Sequence, residues 1–73
     1  MNYARFHLNI APEEYLAYYS GQARSVSVVA EDGRRIEFPA EHLRAFVHEN
    51  GIKGKFEICF DQLNRFVSLN KVV

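Results

Sequence analysis

The chain has one cysteine, no tryptophan, two prolines and no excess of charge of either sign. A lone Cys59 closes no internal disulfide, so stability must come from an apolar core. Nine Lys and Arg balance nine Asp and Glu, which argues against a strongly basic nucleic-acid binder and against a polybasic membrane-surface protein. No apolar run approaches the about 20 residues that a membrane helix needs. Met1–Ile10 lacks the apolar stretch of a secretory signal, so the expectation is a cytoplasmic protein with no membrane partner. A phosphate-binding P-loop, a dinucleotide fingerprint and a serine nucleophile elbow are all missing.

The 73 residues suffice for a single domain, 1–73, and their 48% hydrophobic and 14% aromatic content is that of a folded chain. A core of this size supplies only about 3–5 kcal/mol of net stability. Little remains for a deep catalytic cleft.

Tyr3 to Ile10 alternates: Ala4, Phe6, Leu8 and Ile10 take one face, and Tyr3, Arg5, His7 and Asn9 the other. Period two with one polar face predicts a half-buried strand. Pro12 then opens a helix, with Glu13 and Glu14 at its positive end and Ser20-Gly21 as its stop. Ala11 is a weak cap. Pro12, Tyr15, Leu16 and Tyr19 form the stripe expected to face the core, with Tyr18 beside it. Arg24 to Phe38 reads as a hairpin around Glu31-Asp32-Gly33. A three-residue loop with Gly33 left-handed pairs Val28 with Ile36 and Val26 with Phe38. A two-residue loop would mix apolar and charged residues on one face, so the longer loop is preferred.

Pro39 opens a second helical piece, with Leu43, Phe46 and Val47 on one side. Gly51 ends it in a turn that favours glycine. Phe56, Ile58 and Phe60 begin a second hairpin, turning at Asp61-Gln62-Leu63-Asn64 with Asn64 left-handed. A four-residue loop places Val67 opposite Ile58, Leu69 opposite Phe56, and Phe66 outward opposite Cys59. The expected fold is therefore α+β, in the order β-α-β-β-α-β-β: a twisted antiparallel sheet or partly open small barrel with two short helices.

The stretch Gly33-Arg34-Arg35-Ile36-Glu37-Phe38-Pro39-Ala40-Glu41-His42-Leu43-Arg44 is distinctive. So is Gly51-Ile52-Lys53-Gly54-Lys55-Phe56-Glu57, followed by Phe60-Asp61 and Asn64-Arg65-Phe66-Val67-Ser68-Leu69. With the Tyr3 to Ile10 strand and Glu13-Glu14-Tyr15, these segments resemble the small bacterial family catalogued as domain of unknown function 2835. The resemblance spans nearly the whole chain. It implies a stand-alone bacterial protein of about this length, and it carries over no activity, cofactor or site residue. Ala11, where Ser or Thr is common, and Ala45, where Pro often follows Leu-Arg, depart from the family's pattern at helix ends.

His7, His42 and His48 lack the close pairing of zinc ligands, and no second cysteine assists them, so no metal is expected. Cys59 on a strand between Ile58 and Phe60 reads as a small hydrophobe, since nothing local would stabilise its thiolate. Glu13-Glu14 and Glu31-Asp32 are explained by a helix start and a turn. Gly51-x-x-Gly54 superficially resembles an RNA-clamping loop, but that loop joins two helices, whereas Lys55 and its successors alternate as a strand. No catalytic residue and no cofactor are therefore assigned.

The aromatics point instead to a surface, since ten in so short a chain are more than a small core easily hides. Tyr3, Tyr18 and Phe66 fall outside the main core. Tyr3, Arg5, Arg35, Lys55, Arg65 and Phe66 form the candidate interaction surface, because an aromatic flanked by arginines suits a protein interface and a nucleobase alike. The expected role is a non-enzymatic binding or adaptor module acting through a protein partner or homodimer. A single-stranded nucleic-acid-binding small β-barrel is the alternative and is not favoured.

The hairpin reading makes a direct prediction. Gly33→Val is expected to destabilise the fold by at least about 1 kcal/mol in urea unfolding, because a β-branched residue strains at positive φ. An unchanged midpoint would refute the three-residue turn.

Overall fold

The computed structural model describes residues 1–72. Its elements run β1 (Asn2–Ile10), α1 (Pro12–Tyr19), β2 (Ser25–Val29), β3 (Arg35–Pro39), the 3₁₀ helix η1 (Ala40–Phe46), β4 (Ile52–Phe60) and β5 (Phe66–Val72). The order is the one expected. The strands form two open antiparallel sheets, one ordered β1-β4-β5 and the other β2-β3.

β1 and β4 pair along their full lengths, from Asn2 opposite Phe60 to Ile10 opposite Ile52. Ala4, Phe6, Leu8 and Ile10 are buried as the alternation requires, while Tyr3, Arg5, His7 and Asn9 are exposed. In β4, Ile52, Phe56 and Ile58 point to the same inner face and have no solvent exposure. Across the core stand Val26, Ile36 and Phe38 of the β2-β3 hairpin, Tyr15 of α1, and Ala40 and Leu43 of η1.

The first hairpin has the expected register, with Val26 opposite Phe38 and Val28 opposite Ile36. Gly33 sits at φ +91° with open space where a Cβ would stand. A substitution there meets backbone strain alone.

α1 has the expected bounds. Ala11 offers no side-chain cap, but the Glu14 carboxylate reaches back to accept from the Ala11 N–H at 3.3 Å. Its inward face differs from the expected stripe. Tyr15 is buried and Tyr18 packs on the core, while Leu16 and Tyr19 are exposed. With eight residues, α1 touches the core along its Tyr15–Tyr18 edge only, and two apolar members of the stripe are left in solvent.

The second helical piece is 3₁₀ rather than α. Three residues per turn stack Ala40, Leu43 and Phe46 on one side. Leu43 is fully buried and Phe46 packs on the core, whereas Val47, which an α-helical period places inward, is 37% exposed.

The second hairpin corrects the expected register. Its loop holds three residues, not four. The Asp61 N–H donates to the Arg65 carbonyl and the Asn64 N–H to the Asp61 carbonyl, with Asn64 left-handed at φ 62° as expected. Ala30 N–H to Arg34 C=O and Gly33 N–H to Ala30 C=O repeat this geometry in the first hairpin. The shorter loop sets Phe66 opposite Phe60, and a bulge after it sets Ser68 opposite Cys59 and Leu69 opposite Ile58. The extra residue, Val67, turns to solvent, and Phe66 turns inward against the core. Leu69 keeps its expected inner face but meets a partner two residues along.

Gly51 carries the tightest steric demand. It lies at φ +90°, and a Cβ there would fall on the backbone carbonyl oxygen of Ile10. The turn from η1 into β4 thus presses against the end of β1. Gly51→Ala is expected to cost more than the about 1–3 kcal/mol of backbone strain alone, and clearly more than Gly33→Ala. Equal midpoints for the two variants in urea unfolding would show that the close approach to Ile10 relaxes at no cost.

Candidate interaction surface

The inner face of β1-β4-β5 is sealed by α1, η1 and the second sheet, so odd-numbered residues of β1 and β4 point away from the core. Cross-strand rows follow from the registers: Tyr3-Cys59-Ser68, Arg5-Glu57-Asn70 and His7-Lys55-Val72. Of the expected surface residues, Tyr3, Arg5 and Lys55 share this outer face, and Arg65 stands on the adjoining turn. Arg35 does not join them. It sits opposite Val29 on the two-stranded sheet and lines a separate cavity of about 400 Å³ with Phe60 and Asn64. Phe66 is also elsewhere: the three-residue loop sets it opposite Phe60 and turns it inward, where its ring stacks on His42 with centroids 3.7 Å apart and planes 10° from parallel. Tyr3 and Phe66 thus lie on opposite faces of the sheet.

The basic side chains of this region are neutralised. Arg5 Nε lies 3.0 Å from Glu57, Lys55 Nζ 2.9 Å from Glu31, and Arg65 Nε 2.8 Å from Asp61. His7 approaches the same Glu31 carboxylate at 3.8 Å. Glu31 belongs to the first hairpin's turn, which docks on the free edge of β1. Its N–H donates to the Arg5 carbonyl at 2.8 Å, and Arg34 Nη2 donates to the Tyr3 carbonyl at 2.8 Å. Asp32 holds Arg34 in place at 2.7 Å.

An apolar cluster remains at one end of the face. Cys59 points outward yet is only 3% exposed, because Met1 lies over it with the two sulfurs 3.6 Å apart. Met1 also lines a shallow cavity with Asp61, Gln62, Leu63 and Arg65. Met1, Tyr3 and Leu63 are respectively 69%, 57% and 72% exposed; Met1 and Tyr3 adjoin the buried Cys59, and Leu63 adjoins Met1. The neighbouring Cys59 sulfur pushes the Tyr3 hydroxyl above its ordinary pKa. Sequence reasoning found Tyr3 but missed Met1 and Leu63. An apolar residue in the middle of a polar turn was the available signal for Leu63.

His42 and His48 stand apart from His7: His42 lies against Phe66, and His48 bridges to Gly51. No group of three or more His, Cys, Asp or Glu gathers as a metal site among the described residues, and none of the described helices is long and apolar enough to cross a membrane.

Residues 2–72 match the family model described as "Protein of unknown function (DUF2835)". No curated protein and no solved structure matches.

The turn carboxylates make stability depend on pH. The Arg34 backbone N–H holds Asp32 below its ordinary range, and the Arg65 backbone N–H does the same for Asp61, each with help from the arginine side chain. A hydrogen bond from Lys55 lowers Glu31. A carboxylate whose folded pKa is depressed contributes stability that is complete above its unfolded value, about 4, and is lost as pH falls through the folded value. Thermal melts are therefore expected to drop in Tm as pH falls through and below about 4. Asp32→Asn together with Asp61→Asn should flatten that drop, and an unchanged slope would refute the assignment.

Proposed function

The chain belongs to the DUF2835 family, and for this member we propose a role as a non-enzymatic binding module that acts through a protein partner or self-association. The proposed contact is the Met1–Tyr3–Leu63 end of the outer face. One observation carries the reading: Met1, Tyr3 and Leu63 stand exposed at one end of the face, with Met1 over Cys59 and sharing a shallow cavity with Leu63, whereas Arg5, Lys55 and Arg65 are paired. Apolar groups gathered at one place on a small surface, with a polar rim, are the arrangement by which proteins bind one another. Arg65, with its guanidinium on Asp61, supplies part of that rim.

The same pairing favours protein over nucleic acid on this face. Arg5, Lys55 and Arg65 each face a carboxylate, so a phosphate backbone would have to displace Glu57, Glu31 and Asp61 to reach them. The open two-sheet architecture also differs from the barrel that the nucleic-acid alternative assumed.

Leu63→Glu tests the reading with little risk to the fold, because Leu63 lies in solvent on a turn. Wild type is expected either to gain mass with concentration in sedimentation experiments or to retain specific proteins from its own cell extract. Leu63→Glu and Tyr3→Glu should each remove that behaviour while keeping the wild-type circular dichroism spectrum. If wild type and both variants sediment and capture alike, the proposed contact is wrong.

A further inference from the structure

A second concave site lies between the two helices, away from the outer face. Tyr15, Tyr18 and Tyr19 of α1, Gly21, Ala23 and Arg24 of the following loop, and Pro39, Ala40, Glu41 and Arg44 line a cleft of about 330 Å³. That is at the small end of the range for clefts that hold small molecules, about 300–1,000 Å³. Here Arg24 and Arg44 differ from the arginines of the outer face. Among the described residues the ion pairs engage Arg5, His7, Arg34, Lys55 and Arg65, and neither cleft arginine takes part. Two arginines outside those ion pairs, three tyrosines and one glutamate thus line a single cleft.

We propose that this cleft binds a nucleotide, with the base against the Tyr18 and Tyr19 rings and the phosphate on Arg24 and Arg44. The chemistry selects the class. Tyrosine faces and guanidinium planes stack on any base, and arginine is the side chain best shaped for phosphate oxygens. Glu41 provides an acceptor for an exocyclic amine or a ribose hydroxyl. Tyr19, 68% exposed, is free to meet a ligand there. The proposal is independent of the outer-face reading, since the two surfaces share no residue. A free mononucleotide and one unit of a single strand present the same chemistry.

Backbone amide shifts of the full chain separate these cases. The protein is titrated with adenosine and uridine monophosphate, with a single-stranded RNA octamer, and with inorganic phosphate alone, at low and at physiological salt. Saturable shifts are expected within residues 15–24 and 40–44, caused by the nucleotides and much more weakly by phosphate. Arg24→Gln and Arg44→Gln should each weaken binding about tenfold, the loss expected for one charge-assisted hydrogen bond. Tyr19→Ala should weaken the nucleotides without changing the response to phosphate. A gain in affinity from monophosphate to octamer, with steep salt dependence, identifies a strand as the ligand. Equal affinities identify the free nucleotide. No saturable shift in the cleft, shifts centred on Tyr3 and Arg5 instead, or phosphate as effective as the nucleotides would each overturn the proposal. An Arg24→Gln and Arg44→Gln pair that retains the wild-type spectrum and full affinity would overturn it as well.

Discussion

Four phenylalanines hold this small fold together. Phe6 of β1 lies 5.7 Å from Phe38 of β3 and 6.2 Å from Phe56 of β4. Phe46 of η1 meets Phe56 edge-on at 5.1 Å. One aromatic cluster therefore joins both sheets and the 3₁₀ helix. Phe6, Phe38 and Phe56 are almost wholly excluded from water, and each such ring contributes roughly 1.5–3 kcal/mol on burial. In a chain whose total net stability is only about 3–5 kcal/mol, no other contact joins as many elements. The cluster also decides which face of β1-β4-β5 turns inward, and so which residues are left to meet a partner.

The two sheets are tied a second time at the surface, by polar groups. Antiparallel pairing with β4 leaves the outer edge of β1 with unpaired carbonyls, a hazard for edge-to-edge association. The first hairpin's turn covers two of them, through the Glu31 N–H and the Arg34 guanidinium. Glu31 then reaches across the outer face to Lys55. Charges that look like a dispersed basic surface are in this way committed to holding a hairpin to a strand. The hydrogen-bonded turns repeat in the second hairpin, where Asp61 accepts from Leu63, Arg65 and the Arg65 side chain.

Two kinds of surface result, with different chemistry. The outer face pairs Arg5 with Glu57 and Lys55 with Glu31 and gathers apolar side chains at one end, which suits a protein contact. The cleft between the helices sets two arginines outside those ion pairs beside tyrosines, which suits a nucleotide. Both follow from how few residues the fold can bury: an eight-residue α1 inserts Tyr15 and the edge of Tyr18, and its remaining aromatic and Leu16 stay in solvent.

The chain alone determined the order of elements, the inner faces of β1, β3 and β4, and the first hairpin's register. Each of these rests on local physics: side-chain direction alternates every residue in a strand, and mixing Arg35 with Ala30 on one face would bury a charge. Gly33, Gly51 and Asn64 were legible because positive φ selects them. Tertiary structure decided the rest. The α-helical period of three to four admitted Val47, and only packing against Phe56 shows that η1 is wound to three and uses Phe46 instead. Phe66 was placed outward because a four-residue loop and an unbroken ladder kept its parity with Cys59. Asp61 shortens that loop by hydrogen-bonding across it, which reverses the face of Phe66, so that it stacks on His42 from a helix more than twenty residues away, while the bulge at Val67 returns Leu69 to the inner face. Tyr3 alone of the expected aromatics stayed on the open surface. Met1 is close to Tyr3 in the sequence, whereas Leu63 was brought beside Met1 by the pairing of β1 with β4, a contact between distant segments that no local pattern records.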